Sequence, residues 1–415
     1  MRHADVLIVG GGPAGSATAF ALASRGIPVH VIDRARFPRP KPCAEYLSPE
    51  ASRVLAAMGV LERVEASGAA ALAGVRVRAP NGHVIAGDFV AAHGFRGYRD
   101  RGLSVRREVL DAMLLDAARG AGARVTEGVR VTGLVAPDGV VSGVSVLAAD
   151  GRRDVHARCV IGADGLRSVV ARRMGVAHSL RWPRRLALVT HYSNVDGVGE
   201  HGEMHVERDG YVGIADVGNG LTTVALVVPA RRSRDISGNR AEFLDAWLRA
   251  RPQLAPRFAR ATRVTPVVAT GPFASHARRA WAPGVALVGD AADFFDPFTG
   301  EGIYAALRGG EMLADWVCEA IAARSDAEAW RVLAAYDAAR RREFGGKWLV
   351  ERVIGAVVGA APLINRAARG LAARKDLADL LIGVTGNFIP PREVIRLGYL
   401  WGVFGWNLGA RRTTP

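Results

Sequence analysis

Cysteine is scarce in this chain, and the few cysteines lie far apart. Cys43, Cys159 and Cys318 are the only three among 415 residues. An odd number at such spacing gives neither a disulfide framework nor a metal-binding pattern. The sequence therefore predicts no metal site, and we expect a reducing compartment, the cytoplasm.

Long uncharged apolar runs are also missing. No run reaches the length that a membrane span requires. The start, Met1–Asp5, leads straight into a strand pattern and has no signal-peptide core. We expect a soluble protein that at most touches a membrane surface.

Arginine is abundant, but it is not clustered. The formal net charge is +15, and the basic residues are spread along the chain. Nucleic-acid-binding proteins usually carry a basic stripe or a recognised motif, so no nucleic-acid partner is predicted. The charge is compatible with attraction to anionic lipid or to a phosphorylated cofactor.

A glycine-rich turn follows the first apolar run. Val6–Val9 has the pattern of a strand buried on both faces, and a helix of small residues follows it. Gly10 permits the tight turn, Gly12 lets backbone N–H groups approach a pyrophosphate, and Gly15 permits close helix packing. Asp33 ends the second strand, where an acid accepts ribose hydroxyls. The predicted dinucleotide contacts are Gly10, Gly12, Pro13, Ala14, Gly15 and Asp33.

Two further motifs follow in a fixed order. The stretch Gly162–Ser168 is Gly-Ala-Asp-Gly-Leu-Arg-Ser, and Gly289–Ala292 is Gly-Asp-Ala-Ala. Pro297 and then Thr299–Ile303, Thr-Gly-Glu-Gly-Ile, come shortly after. Together with the first motif, this order indicates a flavin site.

The three motifs resemble those of the flavoprotein monooxygenases built like para-hydroxybenzoate hydroxylase. Within that superfamily the chain is similar to the geranylgeranyl-reductase-like branch, because Phe37–Pro49 follows its Phe-Pro-Arg…Cys-Gly-Glu…Ser-Pro signature. Ala44 replaces the glycine of that signature. The resemblance implies bound FAD, electrons from NADPH or NADH as a transient reductant, and an apolar or aromatic small-molecule substrate.

The resemblance also implies roles for single residues. Asp164 would lie near the pyrophosphate, Asp290 would hold the ribityl hydroxyls, and Arg107 would touch the flavin from the head of a helix. Gly302 and Ile303 would begin a helix against the isoalloxazine, where N–H groups stabilise negative charge. For both aspartates the alternative is helix capping. The remaining expected cofactor contacts are Arg34, Cys43, Ala44, Gly289, Pro297 and Gly300.

Alternating strand and helix patterns predict an α/β fold, α+β overall. A Rossmann-type FAD-binding domain is expected to be discontinuous, over 1–72, 100–180 and 270–325. An antiparallel β-sheet substrate domain, 73–99 and 181–269, would be inserted into it. Residues 326–415 are predicted to be a helical C-terminal region.

Two features of the predicted FAD-binding domain each allow two interpretations. Arg34, Arg36, Arg39 and Lys41 either grip the 2′-phosphate of NADPH or form a solvated face. Cys43 is either a flavin-contacting packing residue, which we favour, or a reactive thiol.

The sequence leaves the reaction type open between two hypotheses. Hydroxylation of an aromatic or polyketide-like molecule by a NAD(P)H-using monooxygenase is the first choice. The alternative is saturation of C=C bonds in a prenyl lipid or quinone. Tyr211 is kept from the aromatic segment of prenyl-chain reductases, but the Trp, Phe and Pro of that segment are absent. The tryptophan-rich segment of flavin halogenases is absent too, which argues against halogenation.

Catalytic candidates come from the predicted substrate sheet. Tyr211 and His191 are chosen as possible acid–base groups, with His205 and Tyr192 as further candidates. Pro297 is added because it lies between the two parts of the third motif. The phenylalanines of 293–298 are expected to form an apolar wall beside the flavin. A flavin-binding protein without turnover is the competing non-enzyme hypothesis.

The C-terminal region alternates apolar clusters with arginines and ends near Trp401 and Trp406. One hypothesis is a helical lid over a long apolar substrate, resting on a membrane surface. The preferred alternative is a helical cap packed on the two sheets.

Overall fold

A computed structural model describes residues 4–179 and 184–405. Its strands and helices, in chain order, are as follows. The strands are β1 (Ala4–Val9), β2 (Val29–Asp33), β3 (Tyr46–Leu47), β4 (Ala70–Leu72), β5 (Gly74–Arg78), β6 (Val84–Asp88), β7 (Gly102–Ser104), β8 (Arg124–Glu127), β9 (Arg130–Val135), β10 (Gly143–Ala148), β11 (Gly151–Gly162), β12 (Ala177–Ser179), β13 (Arg185–Ser193), β14 (His201–Glu207), β15 (Gly210–Asp216), β16 (Leu221–Pro229), β17 (Thr262–Arg263), β18 (Val268–Thr270), β19 (Ser275–Ala277), β20 (Trp281–Ala282), β21 (Val285–Leu287) and β22 (Asp293–Phe294). The helices are α1 (Pro13–Ala23), α2 (Pro49–Ala57), α3 (Leu61–Ala66), α4 (Arg107–Gly120), α5 (Val169–Arg173), α6 (Ser233–Gly238), α7 (Arg240–Arg249), α8 (Gly302–Ala322), α9 (Asp326–Val358), α10 (Ala361–Ala372), α11 (Lys375–Thr385), α12 (Arg392–Ile395) and α13 (Leu397–Phe404).

The first sheet has the strand order β20-β21-β11-β1-β2-β8. β1 pairs in parallel with β2 and β11, and β8 and β21 extend the sheet in the same sense. Val6, Leu7 and Ile8 are fully buried, as expected for a central parallel strand covered on both faces. The predicted Rossmann-type α/β fold is confirmed, and it is assembled from segments far apart in the chain.

Small residues bring two helices close together beneath this sheet's carboxyl edge. α1 packs against α8, the helix that follows the third motif. A Cβ atom at Gly310 of α8 would lie only 2.8 Å from the Ala14 carbonyl oxygen. This contact joins the first turn of α1 to the third turn of α8.

The second sheet has the order β17-β13-β16-β15-β14-β5-β6. The hairpin β5–β6 turns at the predicted Pro-Asn-Gly, with Gly82 at φ 87°. The expectation of a purely antiparallel sheet is wrong at one place, because β5 pairs in parallel with β14. The hairpin comes from a separate chain segment, so no tight turn forces it to run antiparallel to β14.

The C-terminal helices pack on the second sheet, and the predicted helical region is confirmed for its described part. α10 and α11 lie against β6, and Lys375 Nζ of α11 is 2.7 Å from Asp88 Oδ2 of that strand. The buried cluster joins Val77 and Val227 of the sheet to Ile364 and Leu371 of α10. Trp406 and the residues after it lie outside the described part of the chain.

Among the described residues, no single helix is long and apolar enough to cross a membrane. α9 and α10 meet the length and composition criteria only as a pair, and they are bent by 109° relative to each other.

Candidate active site

One continuous cavity of about 1080 Å³ connects the three motifs with the second sheet and the C-terminal helices. At one end its wall includes Gly10, Asp33 and Asp290. At the other end it includes Leu371 and Val403, which belong to helices α10 and α13. A polar nucleotide end therefore leads into an apolar limb.

The backbone of the first motif packs closely against neighbouring backbone at the cavity. Gly10 has φ 104°, and a Cβ there would lie 2.5 Å from the Ala163 carbonyl oxygen. A Cβ at Gly15 would lie 1.8 Å from the Gly10 carbonyl oxygen, so α1 can pack on β1 only with glycine there. Gly12, Pro13 and Ala14 line the cavity, and the positive end of α1 faces it. Gly15 lies behind this wall.

Asp33 closes the turn at the end of β2. Its Oδ2 accepts from Gly11 N at 2.7 Å, and its Oδ1 accepts from Ala35 N at 2.8 Å. Each carboxylate oxygen keeps a second acceptor position, which suits ribose hydroxyls. Arg34 lies beside it in the cavity wall and is exposed.

The predicted basic set divides between two environments. Arg34 and Arg36 are exposed, as the solvated-face interpretation expects. Arg39 turns inward, where its Nη1 lies 3.1 Å from Asp111 Oδ2. Lys41 also lines the cavity, and burial lowers its pKa.

Lys41, Arg107 and Asp290 line the cavity, and their charges act on one another. Arg107 at the start of α4 forms a bidentate pair with Asp111, at 2.7 and 2.8 Å. Burial raises the pKa of Asp290, while the charges of Lys41 and Arg107 act in the opposite direction. Neither the turn Gly289–Ala291 nor the following helix α8 has a side-chain cap, so the capping alternative does not describe Asp290. Two cations and one acid thus line the same stretch of the cavity, and this is a donor and acceptor set that suits phosphates and hydroxyls.

Asp164 behaves differently from Asp290, although it also lines the cavity. Its Oδ1 accepts from Ser168 Oγ at 2.5 Å, and its Oδ2 accepts from Val169 N at 2.6 Å. The carboxylate therefore secures the start of α5, and the capping interpretation describes its contacts. The backbone at Asp164 contributes the wall that Gly10 approaches.

The Cys43–Ala44 loop lines the cavity beside Arg107. Burial raises the pKa of the Cys43 thiol, which disfavours the thiolate a nucleophile needs and supports the packing interpretation. Ala44 replaces the family's glycine without adopting positive φ; the left-handed residue of this loop is Glu45, at φ 63°.

The third motif shapes the wall at the start of α8. Pro297, Gly300, Gly302 and Ile303 all line the cavity. Gly300 has φ 71°, and a Cβ there would lie 2.7 Å from the Tyr46 ring. Gly289 lies behind the wall, where a Cβ would lie 2.8 Å from Ala14 Cβ.

Two hydroxyl groups in this wall are buried without a hydrogen-bond partner. Among the described residues, nothing bonds Tyr46 Oη or Thr299 Oγ1, and both residues line the cavity. Buried hydroxyls are normally satisfied, so a polar group is expected to meet them. Together with the glycine approaches and the Lys41–Asp290 wall, they fit FAD.

The second sheet covers the cavity mainly with one face. Ala187, Val189, Tyr211, Ala225 and Val227 line it, whereas Leu188, Val212, Val224 and Leu226 pack in the core on the other side. Tyr211 is buried, and its hydroxyl donates to Asp296 Oδ1 at 2.8 Å. Burial raises the pKa of Tyr211 well above its usual value, so the phenol stays protonated.

Asp296 and Arg185 were missed by the sequence analysis. Asp296 pairs with Arg185, and Arg185 Nη2 donates to the Gly355 carbonyl oxygen of α9 at 2.9 Å. This buried network joins the second sheet, the third motif and the C-terminal helices. Neither residue belongs to a recognisable motif, and only the fold brings them together.

Three of the sheet candidates lie outside the cavity wall. His191 Nε2 bonds Glu45 Oε2 at 2.7 Å, and Tyr192 Oη bonds Asp245 Oδ1 at 2.8 Å. His205 Nε2 lies 2.8 Å from Glu203 Oε2. Their partners lie in the loop before β3 (Glu45), in α7 (Asp245) and in β14 of the same sheet (Glu203).

The predicted phenylalanine wall is present in part. Phe294 and Phe298 line the cavity, and Phe298 meets Tyr211 edge-to-face at 5.0 Å. Phe295 instead packs between His276 and Trp348.

The apolar limb is built mainly by helices that the sequence analysis treated as a lid or a cap. Its wall contains side chains from five helices, and they are Val350, Val353, Ile354, Val357, Val358, Ile364, Ala367, Leu371, Leu381, Ile382, Val394, Ile395, Tyr399, Leu400, Val403 and Phe404. The apolar periodicity of residues 350–404 indicates that these helices bury one face, but it does not show that the buried faces surround a cavity.

Known proteins share both the motifs and the fold. The model of the FAD binding domain family matches residues 3–346. A digeranylgeranylglycerophospholipid reductase of Methanopyrus kandleri is 30% identical over 92% of this chain and 93% of its own. A menaquinone reductase of Mycobacterium tuberculosis is 30% identical over 75% of this chain and 76% of its own.

A solved structure supports the fold alone. The myxobacterial chondrochloren halogenase CndH superposes with a TM-score of 0.80 at 24% identity, covering 98% of each chain. The chain therefore belongs to the FAD binding domain family and is an FAD-dependent oxidoreductase of its geranylgeranyl-reductase-like branch.

Proposed function

We propose that this oxidoreductase saturates C=C bonds in the polyprenyl chain of a lipid or a quinone. The observation that carries the proposal is the apolar limb, which runs from the third motif to α10 and α13. A long flexible hydrocarbon needs such a continuous apolar wall, whereas a single ring occupies a compact site. The names of the two reductase relatives support the same substrate class.

This proposal reverses the order of the two sequence-based hypotheses. Hydroxylation of a phenol is helped by a base that reaches the ring. His191, Tyr192 and His205 lie outside the cavity wall, and the Tyr211 hydroxyl is engaged by Asp296. The prenyl-reductase alternative needs no such base and agrees with the relatives.

FAD, when bound, supplies the two-electron chemistry. The chain's own residues would hold it: the start of α1 and Lys41 at the phosphates, Asp33 at the ribose, and Asp290 at the ribityl hydroxyls. The start of α8 supplies N–H groups that favour negative charge on the ring. The apolar limb excludes water and aligns the hydrocarbon chain along the cavity.

The electron donor is proposed from the charged rim at the nucleotide end. Arg34, Arg130, Arg167 and Arg172 are exposed and also line the cavity. A rim of guanidinium groups favours a phosphorylated donor, NADPH or NADH, that binds transiently.

A single-turnover experiment tests the reaction type. The FAD-loaded protein is reduced anaerobically with dithionite and mixed with a detergent-solubilised geranylgeranyl lipid. The molecular mass of the product is then measured by mass spectrometry. The proposal predicts a gain of two hydrogens per saturated bond without oxygen present; a fully saturated analogue is the control. A product that forms only in air and gains an oxygen atom would support hydroxylation instead.

A further inference from the structure

The apolar limb of the cavity opens on the surface between three C-terminal helices. Val353 of α9, Ile395 of α12 and Leu400 of α13 line the cavity and are also exposed, by 46%, 41% and 36%. α12 contacts both α9 and α13, so these three side chains surround one opening. A substrate can therefore enter the apolar limb directly at its far end.

Large apolar side chains continue outward from this opening. Leu397 is 86% exposed and Trp401 is 67% exposed, one turn apart on the outer face of α13. Tyr399 and Val403 occupy the buried face of the same helix. Val353, Ile395, Leu397, Leu400 and Trp401 are together called the mouth patch. A contiguous exposed apolar patch marks an interaction site, because water contact is unfavourable for each member.

The surroundings of the mouth patch are basic. Arg352, Arg392 and Arg396 are exposed and lie within three residues of a member of the patch in the chain. Arg392 and Arg396, with side chains 69% and 62% exposed, share the single carboxylate of the buried Glu393. An apolar centre with a cationic margin is complementary to an anionic membrane surface.

We infer that the mouth patch docks on an anionic phospholipid bilayer and that the polyprenyl substrate enters the cavity from that bilayer. This inference rests on the proposed function, since a polyprenyl chain is stored in lipid and not in water. A second copy of this chain on the same patch would close the opening. A bilayer leaves the opening in contact with the substrate's source.

Vesicle sedimentation tests the inference with the full-length, FAD-loaded protein. Vesicles of phosphatidylglycerol and phosphatidylcholine are compared with pure phosphatidylcholine at low salt. We expect binding to the anionic vesicles that weakens with salt. The double variant Leu397→Glu, Trp401→Glu is expected to bind at least about tenfold more weakly. Leu147→Glu is the matched control, because Leu147 is 49% exposed on β10, away from the mouth patch.

Three results would overturn the inference. The first is no binding of the wild-type protein to anionic vesicles. The second is binding only by a chain that ends at Gly405, which would assign the patch to the protein's own last residues. The third is loss of a dimer in sedimentation velocity for the double variant, which would assign it to a second copy.

The detergent-based single turnover separates this inference from the proposed function. Vesicle binding without reduction of a solubilised prenyl chain would contradict the proposed function, and with it substrate entry from the bilayer, but not docking. Reduction of the solubilised chain without vesicle binding would contradict docking alone.

Discussion

His191 Nε2 lies 2.7 Å from Glu45 Oε2, and this contact joins β13 of the second sheet to the loop before β3. The other oxygen of the same carboxylate, Oε1, accepts from Arg107 N at 2.9 Å. Glu45 itself is held at φ 63°. The strand β13 is thereby fastened to the Cys43–Ala44 loop and to the start of α4, so His191 supports the flavin wall from outside it.

Removal of His191 should lower the stability of the protein more than it lowers its activity. His191→Ala leaves Glu45 Oε2 without its partner in a buried position, and we expect the free energy of unfolding to fall by about 1–3 kcal/mol. Urea denaturation measures this change. His178→Ala, on the exposed strand β12, should stay within about 0.5 kcal/mol. Equal losses of unfolding free energy in the two variants would contradict the role of His191 in joining β13 to the loop at Glu45.

The close approach of Gly15 to Gly10 should make the first motif intolerant of a methyl group. Gly15→Ala places a Cβ 1.8 Å from the Gly10 carbonyl oxygen, so α1 must move off β1. We expect the purified variant to lose its bound flavin absorbance. Gly120→Ala is the control, because nothing lies within 4 Å of a Cβ there. A Gly15→Ala protein that purifies with its flavin absorbance would contradict the close contact between Gly15 and Gly10.

The Tyr211 hydroxyl should matter for packing and not for proton transfer. Tyr211→Phe removes the donor to Asp296, and we expect a loss of about 0.5–1.5 kcal/mol in unfolding free energy. Turnover should stay near the wild-type value, as it should for Tyr192→Phe, whose hydroxyl bonds Asp245 outside the cavity wall. A large fall in kcat for Tyr211→Phe only, with unchanged KM, would identify it as a proton donor.

Stability should decrease as pH rises toward neutrality because of one carboxyl group. Burial raises the pKa of Glu301 to about 7 from its usual 4.5. The native state therefore holds a proton that the unfolded chain releases above pH 4.5, so this contribution is present at low pH and lost as pH rises to about 7. The loss amounts to the order of 3 kcal/mol.

Glu301→Gln should flatten this pH dependence in urea unfolding between pH 4.5 and pH 7. Burial and the neighbouring Glu301 also raise the pKa of Glu351. Any pH dependence of stability that remains in Glu301→Gln is therefore assigned to Glu351. Glu319→Gln, at an exposed position of α8, is the control variant. An unchanged slope in Glu301→Gln would contradict the raised pKa.

The nucleotide half could be predicted from sequence because its signals are local. Gly10, Gly15 and Asp33 act within one strand–helix–strand unit, and glycine spacing alone fixes the turn. The predicted hairpin at Gly82 was confirmed for the same reason, since turn residues determine it.

The substrate half depends on pairings between distant segments. Strand alternation places Ala187 and Val189 on the cavity face and Leu188 and Tyr192 on the other. The sequence shows this period of two, but it does not show which face meets the flavin. The Asp296–Arg185 pair joins segments 111 residues apart and has no sequence signature.

The most direct test of the account follows flavin absorbance in an anaerobic stopped-flow experiment. The reduced, FAD-loaded protein is mixed with a solubilised geranylgeranyl lipid or with its saturated analogue. If reduced flavin saturates C=C bonds, the oxidised flavin spectrum returns with the unsaturated lipid and not with the analogue. A flavin that stays reduced with both lipids and reoxidises only when oxygen is admitted would contradict it.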